Sequence, residues 1–357
     1  MRVERLKEGI PWQEQDFGGR RLQKKTVCLS RYGGFGDMIQ MSSLLPGLKE
    51  QGYSITVNTT PQGYDIIKHD PFIDAVFLQE HGQVPNHELG FFWDKLAKCF
   101  DKFVMLSESV EGALLALPER RAAGWHPDFR RMIMGTVDYL EATHAIAEVP
   151  LPIRPCFHPS KSEIKKAEKR RARMGRKNFV VLWALSGSSV HKTYPWMDQI
   201  IARAMVSCDR VKFVLVGDPL CKVLEQGWEK EPRVECKSGK WSIRDTLAFA
   251  QFADLVIGPE TGVLNSVAVF HMPKLLMLSH SSPANIGSNW TNTIQLTPEN
   301  TPCYPCHILH RGFDLCHRHE ETGAAECAAN IPPDTVWNAM QEIFDGNNVP
   351  TALPKVS

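Results

Sequence analysis

A chain of 357 residues exceeds the size at which one hydrophobic core usually stops growing, so two domains of about 150 residues each are expected. Its 41 basic and 40 acidic side chains nearly cancel, which excludes a protein whose main business is coating nucleic acid or an acidic membrane and leaves room only for local patches. The ten cysteines lie singly up to Cys236 and then cluster between Cys303 and Cys327, which is not a secreted disulfide scaffold; with a polar, mixed-charge beginning and no run of about 18 apolar residues, a cytoplasmic protein is expected, its membrane contact at most peripheral and at the inner face.

After a polar leader, residues 25–30 read as a strand running into the glycine loop Gly33-Gly34-Phe35-Gly36, and 38–51 carry apolar residues at helical spacing. Strand 53–59, helix 63–69 and strands 75–78 and 103–106 continue the alternation of a parallel α/β sheet. Helical periodicity predominates over 120–148, broken at His126-Pro127, and the proline-rich stretch 149–155 reads as an extended connector at the domain boundary. Residues 161–177 hold nine basic and two acidic side chains at helix-friendly composition: a solvated face, or a contact for a polyanion or anionic lipid. The alternation then restarts with strand 179–184, loop 185–194, helix 195–207 and strand 211–216, which ends in Gly217-Asp218. Helix 242–251, strand 254–257 with its own loop and helix, strand 274–278, a Ser/Pro/Asn-rich loop 279–292 and a closing helix 335–344 complete the chain.

Candidate chemistry sits at the strand ends. Residues 253–265 form a buried strand that stops at a loop opening a helix, where first-turn N–H groups and the helix dipole favour an anion. Gly262 allows close backbone approach, Thr261 adds a hydroxyl, and Glu260 adds a carboxylate suited to a ligand bearing both phosphate and hydroxyl groups, such as a nucleotide sugar. Ordinary helix capping is the structural alternative. Upstream, Ser186, Gly187, Ser188 and Lys192 precede a helix in a loop able to wrap a diphosphate, the lysine supplying a point charge. Gly217 and Asp218 end the intervening strand, so three strand ends are expected to converge. In the first half Gly34, Phe35 and Gly36 shape a loop for close approach, and Asp37 follows them at the helix start. It is a candidate general base, or a carboxylate that complements the dipole.

Three motifs make the chain resemble the bacterial heptosyltransferase-like glycosyltransferases of family 9. Residues 31–45 with Gly36-Asp37 resemble the family's Gly-Asp at the first helix, Lys192-Thr193-Tyr194-Pro195-Trp196 is similar to its Lys-x-Trp-Pro segment, and residues 253–262 look like its donor loop. The similarity in order and spacing runs over about residues 25–345. It implies a GT-B architecture of two Rossmann-like domains facing each other across a cleft: an acceptor-binding domain 1–155, a nucleotide-sugar-binding domain 156–334, and a helix and tail 335–357 that pack back on the first. It also implies an inverting, metal-independent transfer of a heptose or other hexose from a nucleoside-diphosphate sugar to a hydroxyl in lipopolysaccharide or other surface-glycan assembly, with Asp37 as base and no cofactor needed for catalysis. Three positions depart from the family pattern: Glu260 stands for the usual aspartate, Asn265 for a frequent histidine, and Tyr194 precedes Pro195 where tryptophan is preferred, so the donor is expected to differ from ADP-heptose. Alternatives are transfer to a hydroxymethylated nucleic-acid base or other non-lipid acceptor, and a catalytically silent nucleotide-sugar binder. Separately, Cys303, Cys306, Cys316 and Cys327 offer enough thiolates for a structural zinc site, with reduced or loosely paired thiols as the alternative.

Overall fold

A computed structural model describes residues 1–15, 17, 25–107, 121–151 and 156–346. Part of the expected connector, 152–155, and the expected tail, 347–357, lie outside the described residues. The chain forms two compact units, one from Met1–Val110 and Leu140–His158, the other from Glu111–Tyr139 and Pro159–Ser357. No helix among the described residues is long and apolar enough to cross a membrane.

The first unit is a five-stranded parallel sheet in the order β1-β4-β3-β2-β5, made of β1 (Arg2–Arg5), β2 (Thr26–Ser30), β3 (Ser54–Thr59), β4 (Ala75–Leu78) and β5 (Lys102–Met105). The polar leader is thus an edge strand, and its alternating charges suit an edge with one open side. The helical stretch 38–51 divides into Phe35–Ser42 and Leu45–Glu50, since Pro46 lacks the N–H that a continuous helix needs and is tolerated only in the first turn of the second piece. Trp12, Phe17, Phe77 and Phe92 pack on one side of the sheet, mostly edge to face with centroids 5.4–5.7 Å apart.

The second unit has six parallel strands in the order β11-β10-β9-β6-β7-β8: β6 (Phe179–Ala184), β7 (Val211–Val216), β8 (Val234–Cys236), β9 (Leu255–Pro259), β10 (Lys274–Met277) and β11 (Thr293–Leu296). Its core gathers Trp183, Phe213, Ile257 and Leu275 from the strands with Ile200 and Ile201 from helix Met197–Ser207. The closing helix Pro333–Phe344 buries Val336, Trp337, Met340 and Ile343 in this same core. Its apolar stripe, at spacings of one, three and three residues, has a ready partner in β10, β11 and the 197–207 helix. Helix Pro127–Met134 belongs to this unit too, because Arg130 donates to the Cys306 carbonyl (2.6 Å) and Asn285 to the Met134 carbonyl (2.6 Å).

In each unit the strand order reverses direction beside a central strand. After β2 the chain builds outward through β3 and β4 and then returns to place β5 on the other side of β2; after β6 it builds through β7 and β8 and returns to place β9 beside β6. Loops diverge at such points, and the crevice left beyond the carboxyl ends is where open α/β sheets take ligands.

Candidate active site

In the second unit the reversal lies between β6 and β9, which pair with Trp183 opposite Ile257. Gly258 is placed where the two strand ends meet, at φ +155°, and a Cβ there would stand 2.6 Å from the Ala184 carbonyl oxygen. Only glycine permits that approach. Two residues on, Glu260 reaches the loop that follows β6. Its Oε2 lies 2.6 Å from the Lys192 ammonium, and its Oε1 accepts from Asn265 Nδ2 at 2.7 Å. Asn265 Nδ2 also donates to the Thr261 carbonyl (2.9 Å), tying the carboxylate to the first turn of helix Gly262–Ser266. Burial pushes the Glu260 carboxyl up, but the Lys192 charge and the two hydrogen bonds outweigh it, and the group titrates below its ordinary value. Lys192 is 7% exposed. Thr261 caps the helix with extended backbone, and its Oγ1 is buried with no hydrogen-bond partner among the described residues.

The rest of the β6 loop is pinned from behind. Ser189 Oγ donates to the His310 carbonyl and Val190 N donates to it at 3.0 Å, while His191 Nδ1 meets Ser279 Oγ at 2.8 Å. Burial foremost, then the Lys192 charge, holds His191 well below the usual imidazole range, so it stays neutral. Ser186 Oγ is 2.8 Å from Thr193 Oγ1, and Gly187 and Ser188 lie exposed on the turn. Gly217 and Asp218 sit at the end of β7, where Asp218 Oδ1 accepts from Leu220 N (2.8 Å) and Cys221 N (3.1 Å) as the cap of a 3-10 turn. Structure therefore links Lys192, Glu260, Asn265 and the Thr261 carbonyl by hydrogen bonds with Gly262 next in the chain, places Ser186, Gly187 and Ser188 on the same loop as Lys192, and gives the Asp218 carboxylate capping partners of its own.

In the first unit Gly34, Phe35, Gly36 and Asp37 open helix Phe35–Ser42 at the end of β2. Asp37 Oδ2 accepts from Gly34 N at 2.7 Å, and Oδ1 lies 2.7 Å from an Arg31 guanidinium nitrogen. Arg31 is 3% exposed and also donates to the Leu106 carbonyl (3.0 Å), so it holds the carboxylate from inside the fold while Asp37 itself is about one-third exposed. Gly33, at φ +144°, makes room: a Cβ there would come within 2.5 Å of Asp37 Oδ2. Beside it Tyr32 stacks on Trp93, whose Nε1 donates to the phenol oxygen at 3.2 Å, and burial pushes the phenol up to about 12. Sequence reasoning missed Arg31, Tyr32, His191 and Ser279. An arginine six residues before a helix-start aspartate was visible, but nothing in the spacing said that it turns inward.

The expected zinc ligands Cys303, Cys306, Cys316 and Cys327 all lie in the second unit. Among the described residues no group of three or more His, Cys, Asp or Glu side chains is placed to hold a metal ion, and all the cysteines are free thiols. Cys316 and Cys327 hydrogen-bond to each other and pack with Phe313, Ala325 and Ala328; Cys306 Sγ sits 3.9 Å from His310 Nε2, and burial pushes its thiol up to about 11. All four thiols lie near enough to interact electrostatically, Cys327 with the other three and Cys306 with Cys303 and Cys316.

No protein-family model and no curated protein sequence matches the chain. Solved structures do. The glycosyl transferase family 9 protein from Veillonella parvula DSM 2008 superposes with a TM-score of 0.65 at 14% identity, covering 90% of this chain and 97% of that one. The chain has the fold of a family 9 glycosyltransferase. E. coli ADP-heptose LPS heptosyltransferase II gives 0.59 at 12% identity over 90% and 99%, and E. coli heptosyltransferase WaaC, solved with ADP, gives 0.52 at 11% over 90% and 99%.

Proposed function

We propose that this protein is an inverting glycosyltransferase that moves a sugar from a nucleoside-diphosphate sugar to an acceptor hydroxyl. The observation that carries this is the β6/β9 junction, where a buried lysine, a threonine hydroxyl that is buried with no partner among the described residues and a helix start meet beside the Glu260 carboxylate at the point of strand reversal. The donor pyrophosphate lies against Thr261 and Gly262. The Lys192 ammonium has three N–H bonds; one is committed to Glu260, and two are free to meet phosphate oxygens. As the bond from the sugar's anomeric carbon to the phosphate oxygen breaks, negative charge grows on the leaving diphosphate, and these fixed donors stabilise it more than they do the intact donor. In this scheme the lysine and backbone N–H groups carry that charge, with no metal assigned to the step.

Asp37 is the base. Arg31 and the Gly34 N–H fix its two oxygens, each of which keeps a second lone pair for the acceptor proton. The acceptor oxygen forms its bond to the anomeric carbon as that proton passes to Asp37, and the configuration inverts because the leaving group departs from the opposite face. The acceptor class that agrees with the fold relatives is a glycan or glycolipid, as in lipopolysaccharide or other surface-glycan assembly. Incubating the protein with labelled ADP-, UDP- and GDP-sugars and extracted surface glycolipids tests the reading. Transfer that disappears in Asp37→Ala supports it; transfer that Asp37→Ala leaves intact overturns the base assignment.

A further inference from the structure

Helix Lys161–Arg173 is fastened to the second unit along one side. Glu163 holds Arg244 through both oxygens (2.6 and 2.9 Å), Lys166 and Arg170 close on Asp245 (2.8 and 3.3 Å), Arg171 on Asp254 (2.9 Å), and Ala167 is buried. On the outer side Lys161, Lys165, Lys169 and Arg173 follow one another at intervals of four residues, each exposed, and exposed Arg176 and Lys177 extend the row past the helix end. Intervals of four keep side chains on one face, and the four helical cations cover about 18 Å. Among the described residues none of the six has a carboxylate within ion-pair distance, whereas their inward neighbours do. Glu168 is the one exposed acid of the helix. The near-neutral total of the chain therefore conceals a strongly one-sided face.

We propose that this row is a docking surface for an anionic phospholipid bilayer. The exposed positions of the helix hold only Lys, Ser, Glu, Ala and Arg, so nothing on it inserts into the acyl region, and the attraction is one of charge alone. Four of the six cations are lysines, compact charges on flexible stems that suit mobile headgroups on a plane, whereas fixed bidentate contacts to a defined phosphate call for arginine. The helix itself carries no aromatic side chain on which nucleic-acid bases could stack. Each cation brought to an anionic surface raises partition about fivefold, and the effect collapses within a Debye length. This inference is independent of the donor-site reading, since none of its residues belongs to that site.

Co-sedimentation of the full chain with vesicles of phosphatidylcholine alone, or mixed with phosphatidylglycerol at about two to one, tests it at low salt and at about 0.5 M NaCl. The expected result is binding to the mixed vesicles at least about tenfold tighter than to the neutral ones, abolished by high salt, and weakened at least about tenfold when Lys161, Lys165, Lys169 and Arg173 are all changed to Gln. The salt series on the unaltered protein reads the same claim without relying on the variant. Equal binding to both vesicles, no binding to either, salt-insensitive binding, or tighter binding to duplex DNA than to the mixed vesicles would overturn the proposal.

Discussion

Asp37 has both carboxylate oxygens engaged by the protein itself, one by a buried arginine and one by a backbone N–H. Such fixing sets direction and would lower the cost of orienting a base in the proposed transfer. Replacing Asp37 with Asn keeps the size and the acceptor oxygen but removes the base, so kcat should fall by about 10²–10⁴-fold with little change in donor binding; steady-state kinetics beside a donor titration check this. Lys274, fully buried in β10, makes a different kind of claim. Its Nζ donates to the Phe270 (2.7 Å) and Met272 (2.9 Å) carbonyls, and burial brings it down to about 7. Between that value and the ordinary lysine value of about 10.4 the unfolded chain binds a proton that the folded chain does not, so stability rises as pH climbs through this window and is lowest below it. Urea midpoints measured from pH 7 to 10 should increase for the natural chain and flatten for Lys274→Met. At this scale the sequence named Asp37, Lys192, Glu260 and Asn265 as candidates, but not their bonds. Lys192 and Glu260 are 68 residues apart, and a pairing across that distance depends on which strands become neighbours.

At the scale of elements, the strand-loop-helix junctions were the legible part, because an apolar run that ends at Gly or Pro leaves little choice of structure. β1, β8 and β11 were not legible: Arg2-Val3-Glu4-Arg5 has a single apolar residue, Val234–Cys236 is three residues long, and β11 follows directly on a Ser/Pro/Asn-rich loop. All three are at or beside sheet edges or in short pairings, where main-chain hydrogen bonds to an existing strand decide the structure more than side-chain pattern does. The β6/β9 junction makes the sharpest prediction. Gly258→Ala forces a Cβ against the Ala184 carbonyl at a φ that disfavours it, and should cost roughly 2 kcal/mol or more, read as a lowered urea midpoint at unchanged slope. Met340→Ala in the closing helix, fully buried in the second core, should cost about 2–5 kcal/mol.

Across the whole molecule the same device occurs twice: a parallel sheet whose strand order reverses beside a central strand, with a candidate chemical group at each reversal. The two-domain α/β class was readable from the recurrence of strand, glycine loop and helix. The assignment of helix Pro127–Met134 to the second unit was not, since it rests on hydrogen bonds from Arg130 and Asn285 that span about 150 residues or more of sequence. Glu260, one methylene longer than the aspartate of the resembling family, reaches Lys192 and Asn265 together. The central claim is that the β6/β9 junction binds a nucleoside-diphosphate sugar. Thermal unfolding of the natural chain and of Lys192→Met against a panel of ADP-, UDP-, GDP- and CMP-sugars tests it most directly, because a ligand that binds only the folded state raises Tm with its occupancy. The account predicts that at least one nucleoside-diphosphate sugar raises Tm of the natural chain and that Lys192→Met loses most of the shift; no shift with any of them, or an equal shift in Lys192→Met, would contradict it.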